Sequence, residues 1–255
     1  MATSLALHAL PGIPMVQPGD DLAALIEAGL SRAGLVLQPG DVLVLAQKIV
    51  SKAEGRIIDV ADVVPSAEAI ELAAVTQKDP RAVQVVLDQS VRVVRARPNL
   101  IIVEHRRGWV MANAGVDHSN VAPQDGAERV LLLPLDPDAS AETLRARLAP
   151  SVGGPLGIVI SDSFGRAWRR GTAGIAIGAA GLPALVDLRG NPDLFGRILE
   201  VSISGFADEI AAAASLVQGQ GDEAQPVVLV RGLSWSQPAM GAGQLVRPPQ
   251  EDLFR

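Results

Sequence analysis

Short aliphatic segments, separated by stretches with helical patterning, are the feature that most constrains how this chain can fold. Residues 41–46, 157–160 and 226–231 are each only a few residues long and are rich in Val, Leu and Ile. Apolar segments of this length are typical of buried strands. Because the chain of 255 residues has no Tyr and only 3% aromatic residues, its core has to be built mainly from aliphatic side chains. We therefore expect buried strands at these three positions.

Four segments carry the apolar repeat of helices that would flank such strands. In residues 20–34, either Asp20 or Asp21 can cap the helix and Gly34 can end it. The other three helices are predicted over residues 66–76, 140–150 and 206–219, with Ser66 and Ser140 at the start of the first two and Gly219 at the end of the last.

Additional strands, or segments flanking strands, are indicated by a run rich in β-branched residues. They are predicted over residues 83–87, 91–95, 100–104, 109–111 and 130–133. Strands and helices alternate imperfectly, so that both an α+β and a mixed α/β arrangement fit the pattern. We predict an α+β fold with mixed sheets and flanking helices.

Charge and composition exclude several classes of function. The formal net charge is -6, whereas a nucleic-acid-binding surface has to be basic. The chain has no Cys, which rules out disulfides, thiolate metal sites and a cysteine nucleophile. No signal-peptide pattern and no apolar run of roughly 18 residues is visible. We expect a soluble cytoplasmic protein with neither a nucleic-acid nor a membrane partner.

A basic segment directly follows the strand predicted over residues 41–46. It contains Lys48, Lys52 and Arg56, and Gly55 is available for a turn. Lysine is a good point-charge partner for phosphate oxygens, although a solvated basic loop would have the same composition. The pattern of a Walker A loop is absent. The segment therefore indicates either a phosphate-binding loop or an exposed basic one.

Small residues surround several oxygen and nitrogen ligands in residues 113–120. Asp117 and Asn120 supply oxygens of the kind that Mg²⁺ and Mn²⁺ prefer, and His118 lies between them. A tight turn with Asn and Gly at positive φ explains the same residues, and a lone His is more often only hydrogen-bonded. A metal site and a turn both stay open for this segment.

Polar side chains also follow the strand predicted over residues 157–160. Asp162 precedes Ser163, and three arginines follow at positions 166, 169 and 170. A carboxylate beside a hydroxyl at the end of a strand can hold a metal–phosphate unit, and arginine can neutralise phosphate or carboxylate charge. We favour a binding site here over a turn with exposed arginines.

Residues 218–225 connect a predicted helix to a predicted strand. Gly219 and Gly221 would let the backbone approach a ligand closely. A helix C-cap followed by a plain connection is the simpler interpretation of this segment when it is taken alone.

These segments together resemble the coenzyme F420-0:L-glutamate ligases, or γ-glutamyl ligases. The resemblance extends from about residue 10 to 232, and its motifs occur in the order typical of the family. They include GDVLVLAQKIVSKAEGR, NAGVDHSN, SDSFGRAWRRGT, ADEIAAAASLVQG and PVVLVRG. The resemblance implies an α+β fold of two intertwined subdomains. We predict this unit over residues 10–235, followed by a loose, polar and Pro-rich tail over residues 236–255.

The resemblance also implies a reaction. Members of the family use GTP to activate a carboxylate of the coenzyme F420-0 precursor as an acyl phosphate. The amine of L-glutamate then attacks to form an amide, and later cycles add γ-linked residues. Two divalent ions, Mg²⁺ or Mn²⁺, are implied as cofactors, with K⁺ as a further candidate. A homodimer with nucleotide and metals in a cleft between subdomains is implied as well.

Individual residues match positions with known roles in the family. Asp117 and Asp162 match ligands of one divalent ion, whereas Ser163 and Gln220 match ligands of the second. Arg166 and Arg169 are candidate contacts to anionic substrate groups. The positions that match nucleotide contacts are Leu10, Pro11, Gly12, Ile13, Gln47, Lys48, Lys52, Asn120, Gln218, Gly219, Gln220, Gly221, Asp222, Glu223, Ala224 and Gln225. No catalytic residue is assigned beyond these metal and phosphate contacts.

Two departures from the family and two other functions bear on this hypothesis. Ser163 stands where many members have Thr, and Gln47 stands where some have His. A related metal-dependent amide ligase or phosphotransferase would act on a different carboxylate, which the choice of acceptor would reveal. A non-catalytic nucleotide-binding module would bind GTP without turnover.

Overall fold

The computed structural model describes residues 4–118 and 128–252 and has an α+β fold. The helices in this part of the chain are α1 (Leu22–Ala33), α2 (Gln47–Ala53), α3 (Ala67–Thr76), α4 (Pro80–Asp88), α5 (Pro137–Leu148) and α6 (Phe206–Gln218). The strands are β1 (Ala6–Ala9), β2 (Asp41–Ala46), β3 (Ile57–Asp59), β4 (Ser90–Arg97), β5 (Leu100–His105), β6 (Val110–Ala112), β7 (Arg129–Leu131), β8 (Leu156–Gly165), β9 (Thr172–Ala180), β10 (Val186–Asp187), β11 (Ile203–Ser204) and β12 (Val227–Arg231).

A five-stranded sheet in the order β1–β12–β2–β8–β9 forms the centre of the larger core. β2 and β8 are parallel, and the other neighbours are antiparallel. Helices α1, α2 and α5 cover one face of the sheet, and α6 covers the other. Because both faces are covered, the middle strands are almost wholly apolar. This explains the uninterrupted aliphatic runs at residues 42–46 and 227–230.

A smaller core is formed by the chain between β3 and β7. It contains α3, α4, the pair β3–β7 and the sheet β4–β5–β6. Val60, Val83, Ile101 and Val130 are fully buried in it. The chain enters this unit after α2 and leaves it before α5, so the unit is an insertion into the larger core. The two cores agree with the predicted α+β fold of two subdomains.

An arm projects from the end of the larger core beyond the short pair β10–β11. Its two sides are joined by backbone hydrogen bonds from Leu188 to Ser202 and from Gly190 to Leu199. Leu194 and Phe195 at its tip are 99% and 95% exposed. The arm therefore presents large apolar side chains that the protomer itself does not cover.

Several helix ends confirm the predictions made from capping residues. The side chain of Asp21 accepts a hydrogen bond from the Ala24 N–H at the start of α1, and Gly34 ends that helix at φ 65°. The Ser66 side chain caps α3 in the same way. Side-chain caps and left-handed glycines satisfy backbone groups that a helix end leaves unpaired. None of the helices in the described ranges is both long and apolar enough to cross a membrane.

The strand predicted over residues 83–87 is wrong, because these residues lie in α4. Asp79 caps this helix and Pro80 occupies its first position, which is a strong helix start. Val83, Val85 and Val86 are buried on one side of the helix. Tertiary burial therefore outweighs the strand preference of the valines.

Two predicted boundaries are also wrong. α5 starts at Pro137 with the Asp136 side chain as its cap, three residues earlier than predicted from Ser140. The strand predicted over residues 157–160 continues as β8 through Asp162 and Ser163 to Gly165. The strand is predicted to end before these polar residues because polar side chains are uncommon in buried strands.

The segment after residue 236 is not loose throughout, contrary to the prediction. Ala242 is fully buried, and the Asp138 carboxylate accepts hydrogen bonds from the backbone N–H groups of Ala242 at 2.7 Å and Gly243 at 3.2 Å. The Met240 N–H donates to the Leu182 carbonyl oxygen at 3.0 Å. These bonds fasten the segment to the start of α5 and to the larger core. The division into a domain over residues 10–235 and a tail stays a prediction.

Candidate functional site

An opening in the large sheet lies where β2 ends and β8 continues. The last parallel pair between these strands joins Ala46 to Ser161. Beyond it, residues 162–165 of β8 pair only with β9. The chain leaves β2 directly into α2, so that the side of β8 facing β2 loses its neighbour. Side chains at this end of β8 are therefore accessible from a pocket.

The pocket has a volume of about 390 Å³ and is formed by four segments that meet at this end of the sheet. They are residues 13–16 after β1, the start of α2, residues 161–163 of β8 and residues 218–226 between α6 and β12. The predicted nucleotide contacts that line the pocket are Ile13, Gln47, Lys48, Lys52, Gln218, Gly219, Gln220, Gly221, Asp222, Glu223, Ala224 and Gln225. Three of the four predicted clusters thus contribute to a single pocket.

The other predicted nucleotide contacts lie elsewhere. Leu10 is fully buried in the larger core. Neither Pro11 nor Gly12 is among the residues that line the pocket, and their carbonyl oxygens accept hydrogen bonds from Arg32 at 3.1 and 2.8 Å. Asn120 lies outside the described residues.

Asp162 and Ser163 point to opposite faces of β8 because they are consecutive residues of a strand. Asp162 is paired with Ile175, which packs in the core below α1 and α5. Ser163 is paired with Gly174 on the face covered by α6, where an added Cβ would overlap the Ala211 carbonyl oxygen. The pairing contains a β-bulge beside Ser161. The two predicted metal-binding side chains of β8 therefore lie on two sides of one strand.

On the α6 side, the oxygens of Ser163 and Gln220 fit a divalent cation. The Ser163 hydroxyl donates to the Gln220 side-chain carbonyl oxygen at 2.8 Å. Two neighbouring oxygen ligands of Mg²⁺, each at about 2.1 Å, are separated by roughly 3 Å. The pair matches this spacing. Within residues 4–118 and 128–252, no three Asp, Glu or His side chains converge as a metal site, so a hydroxyl and an amide would have to complete the ligand set.

On the other side of β8, Asp162 lies near the ion pair between Lys48 and Asp117. Lys48 Nζ is 2.7 Å from Asp117 Oδ2. Burial, together with the negative charge of Asp117, raises the pKa of Asp162 to about 6, while a hydrogen bond from the Ser163 backbone N–H and the charge of Lys48 oppose the shift. A carboxylate whose pKa is raised by burial and by a neighbouring carboxylate is well suited to bind a cation, which favours its charged form. The residues present therefore fit a divalent ion on this side as well.

Asp117 belongs to the inserted unit, whereas Asp162 belongs to the large sheet. Backbone hydrogen bonds of 3.0 and 2.8 Å join Asp117 to Leu131 beside β7. Lys48 starts in α2 of the larger core and reaches Asp117 across the boundary. This part of the site consequently depends on both cores.

Lys52 brings a second positive charge into the pocket. Its side chain is only 8% exposed, and burial together with the charge of Lys48 lowers the pKa of Lys52. The described part of the chain provides no hydrogen-bond acceptor or carboxylate partner for the Lys52 ammonium. A buried cation of this kind is stabilised when an anion binds beside it. Lys52 is therefore the strongest indication that the pocket takes an anionic ligand.

The loop over residues 218–225 is held in place at both ends. The Gln218 side-chain amide donates to the Pro226 carbonyl oxygen at 3.3 Å, and the Glu223 carboxylate accepts from the Gly221 N–H at 2.8 Å. Gly219 has φ 74° and ψ -179°, a conformation that is essentially restricted to glycine. The loop is thus a shaped wall rather than a plain connection.

Some predicted residues are not brought to the pocket. Arg166 and Arg169 lie exposed in the turn between β8 and β9, where the Arg166 guanidinium donates to the Arg170 carbonyl oxygen at 3.4 Å. His118 Nδ1 is 3.3 Å from Glu128 Oε1. Neither arginine lines the pocket, so their role as anion contacts stays a prediction.

The pocket also contains residues that the sequence patterns did not single out. Met15, Ser161, Gly174 and Ser215 are among its lining residues. Ser161 could have been proposed, since it precedes Asp162 in the same polar cluster. Gly174 and Ser215 give no local signal, because they reach the pocket only through the packing of β9 against α6.

Comparison with known proteins gives a consistent result. The family model for F420-0:Gamma-glutamyl ligase matches residues 12–232. The chain is 44% identical over 253 residues to the coenzyme F420:L-glutamate ligase of Methanothermobacter thermautotrophicus, covering 98% of this chain and 99% of that protein. It is 44% identical over 256 residues to the protein of the same name from Methanopyrus kandleri, with 99% and 98% coverage. The corresponding Archaeoglobus fulgidus protein is 42% identical over 247 residues, with 96% and 94% coverage.

Proposed function

This chain belongs to the F420-0:Gamma-glutamyl ligase family, and we propose that it adds L-glutamate to coenzyme F420-0 with GTP and divalent metal ions. Relatives of nearly the same length carry the name coenzyme F420:L-glutamate ligase. The observation that carries the proposal is the pocket beyond β2, where a buried lysine without an anionic partner in the described chain lies beside two metal-compatible oxygen sets.

The nucleotide is proposed to enter with its phosphates toward Lys52 and Lys48. Most of Lys52 is buried in the pocket wall, and a phosphate oxygen would supply the negative partner that its ammonium lacks. The loop over residues 218–225 forms the opposite wall and would contact the nucleoside or the phosphates. The choice of GTP over other nucleotides is part of the proposal, and it rests on the resemblance to the family.

Asp117 and Asp162 are proposed to hold one divalent ion, and Ser163 and Gln220 a second. Mg²⁺ or Mn²⁺ would supply positive charge that neutralises the transferring phosphoryl group. Both pairs of ligands lie at the same end of β8, with one pair on each face of the strand. K⁺ is proposed as a further ion, with no assigned ligands.

The proposed reaction proceeds in two steps. A carboxylate oxygen of the acceptor attacks the γ-phosphorus of GTP, which forms an acyl phosphate and releases GDP. The amine of L-glutamate then attacks the acyl carbon, which forms the amide and releases phosphate and a proton. In both steps the chain contributes mainly by positioning the reactants and by stabilising negative charge. Successive γ-linked additions would repeat these steps on the product.

A homodimer is also proposed, with the projecting arm as part of its interface. Leu194 and Phe195 at the tip and Val201 at its base are among the most exposed large apolar residues of the described chain. Leu194 and Phe195 are adjacent in the chain, and exposed apolar patches commonly mark a protein interface. A second copy of the chain would cover it.

The direct test is an endpoint assay. Purified protein is mixed with coenzyme F420-0, L-glutamate, GTP and Mn²⁺, and the products are measured by mass spectrometry. Mass increments of one or more glutamyl units, release of GDP and dependence on metal are expected. GDP without glutamylated product would instead indicate another carboxylate acceptor, and GTP binding without turnover would indicate a binding module.

The Asp162→Asn and Asp117→Asn variants test the proposed metal ligands. Each is expected to reduce turnover by at least about 100-fold, because an amide carries no charge for the cation. Asp62→Asn, an exposed carboxylate of the inserted unit, is the matched control and should keep the parent rate. Circular dichroism of each variant shows whether the fold is intact, and a variant with the parent rate removes its residue from the metal site.

A further inference from the structure

A second cavity, which we call the arginine cavity, lies outside the nucleotide pocket. It has a volume of about 410 Å³ and is lined by Arg106, Arg107, Trp109, Asp138, Ile177 and Gly243. None of these residues lines the nucleotide pocket. The turn between β5 and β6, the start of α5 and the segment after residue 240 meet here. Both cores and the C-terminal segment therefore build the cavity.

One guanidinium of the arginine cavity is fixed and the other is not. Arg107 Nε donates to the Leu135 carbonyl oxygen at 3.1 Å, and its Nη2 is 3.1 Å from Asp136 Oδ2. The Arg106 side chain is exposed, and residues 4–118 and 128–252 offer its guanidinium neither an ion pair nor a hydrogen-bond acceptor. Arg106 is thus a cation in the cavity wall that remains available to a ligand.

The carboxylate in the cavity does not cancel this charge. Asp138 Oδ1 accepts hydrogen bonds from the backbone N–H groups of Ala179 at 2.8 Å and Ala242 at 2.7 Å, and Oδ2 accepts from Gly243 at 3.2 Å. These donors distribute the negative charge of Asp138 over the backbone. Since Asp136 neutralises Arg107 and backbone donors satisfy Asp138, Arg106 is the charged group of the cavity wall that still lacks a partner among the described residues.

The arginine cavity lies on the same side of β8 as Asp162. Trp109 packs edge-on against Phe164 with ring centroids 6.3 Å apart, and Phe164 is two residues beyond Asp162 on the same face of the strand. Two residues of a strand span roughly 7 Å. The cavity therefore lies further along the face of β8 on which one metal ion is proposed.

The position and the charge of Arg106 point to one class of ligand. A ligand that reaches Arg106 from the proposed reaction centre has to pass Trp109 and Phe164, which favours the larger acceptor over L-glutamate. A longer acceptor can span the two positions, and the indole of Trp109 offers an apolar surface along the way. We propose that the arginine cavity binds an anionic part of the acceptor that is remote from its reacting carboxylate, with Arg106 as the residue that contacts it. The assignment rests on the proposed function.

Steady-state kinetics of Arg106→Ala test the assignment. Loss of a charge-assisted hydrogen bond should raise the KM for the acceptor by about 10-fold or more, while the KM values for GTP and L-glutamate stay within about twofold. The KM of Arg106→Lys for the acceptor should lie between those of the parent protein and Arg106→Ala, because lysine keeps the charge but lacks the planar guanidinium group. Arg97→Ala on β4, which lines neither cavity, should match the parent protein.

Two kinetic results would overturn the proposal. An unchanged KM for the acceptor in Arg106→Ala would remove Arg106 from substrate recognition. A selective rise in the KM for L-glutamate would assign the cavity to the other substrate. Because Arg106 is exposed, its truncation should leave the fold intact, which a thermal melt would verify.

A binding measurement separates this proposal from the ligase activity. In a Trp168→Phe/Trp235→Phe background, Trp109 is the remaining indole of the chain and reports on the cavity through its fluorescence. Coenzyme F420-0 and the dicarboxylate glutarate are titrated separately, without GTP. Coenzyme F420-0 is expected to give a saturable change in Trp109 fluorescence, and this change should be lost in Arg106→Ala. If ligation fails but this signal is present, only the proposed function falls. If ligation succeeds and neither ligand gives a signal that depends on Arg106, the cavity assignment falls.

Discussion

At the scale of single residues, the buried cation in the pocket makes the most specific demand on a ligand. Lys52 follows Lys48 by one turn of α2, and both reach the pocket. Lys48 is paired with Asp117, whereas the described chain offers Lys52 no carboxylate. The two lysines therefore differ in their partners, although they belong to the same basic segment of the sequence.

Replacing Lys52 should specifically weaken the use of nucleotide. Lys52→Met keeps most of the side-chain volume but removes the charge, so kcat/KM for GTP should fall roughly 10- to 100-fold. Lys78→Met, at the end of α3 and away from the pocket, is the matched control. The measurement is GDP release at varied GTP. An unchanged kcat/KM in Lys52→Met would mean that its ammonium does not contact phosphate.

A second residue-scale prediction concerns pH and stability. His105 is 7% exposed, and its pKa is lowered to about 4 by burial and by the charges of Arg107, Arg106 and Arg56. Its Nδ1 accepts a hydrogen bond from the Arg107 N–H at 3.1 Å. The unfolded chain, with a pKa near 6.5 at this position, binds more protons than the folded chain between pH 6.5 and 4. Stability therefore falls as the pH drops through this window.

His105→Gln should remove this part of the pH dependence. Glutamine retains a hydrogen-bond acceptor but does not titrate. Between pH 7 and 4, the free energy of unfolding of the parent protein should fall by on the order of 2 kcal/mol more than that of the variant. Urea unfolding at a series of pH values measures the difference. Parallel pH profiles of parent and variant would show that His105 does not remain neutral in the folded state.

At the scale of elements, capping and burial patterns were predictable, whereas the end of β8 was not. The helices α1, α3 and α6 follow from capping residues and apolar spacing in the sequence. The sequence pattern places the end of this strand at residue 160, since local composition does not reveal that β9 pairs with β8 as far as Gly165. In α4, the valines suggested a strand, although the Asp-Pro start and one buried side favour the helix.

The loop over residues 218–225 gives a prediction about backbone conformation. Gly219→Ala should cost about 1–3 kcal/mol, because its φ and ψ are restricted to glycine and an added Cβ would overlap the Glu223 carboxylate. The shifted loop should also raise the KM for GTP. In the control Gly165→Ala, the new Cβ meets no atom within 4 Å, and Gly165 does not line the pocket. Equal melting temperatures and KM values for the two variants would argue against a shaped loop.

At the scale of the whole molecule, the site draws on both cores. Asp117 comes with the inserted unit, whereas Asp162, Ser163 and Gln220 come with the large sheet and its connections. The individual clusters were predictable from sequence because each joins charged or amide groups to glycine or small residues. Their convergence was not derivable from local patterns, because it depends on β2 ending where β8 continues.

The projecting arm gives a prediction about assembly. Leu194→Asp/Phe195→Asp should shift the proposed homodimer to a monomer while leaving the melting transition of the protomer largely intact, since both side chains are almost fully exposed. Val64→Asp, at an 85% exposed position of the inserted unit, should leave assembly unchanged. Sedimentation velocity measures the state of assembly of the parent protein and of both variants. A parent protein that sediments as a monomer would remove the arm from a dimer interface.

The opposite orientations of Asp162 and Ser163 bear on which changes in chain length the protein tolerates. Deletion of Ser161 would turn every later side chain of β8 to the other face, and it would exchange the positions of the carboxylate and the hydroxyl. A one-residue deletion within residues 166–171 would shorten only the exposed turn. Natural length variation among proteins of this design should therefore accumulate in that turn and be absent from the strand a few residues before it.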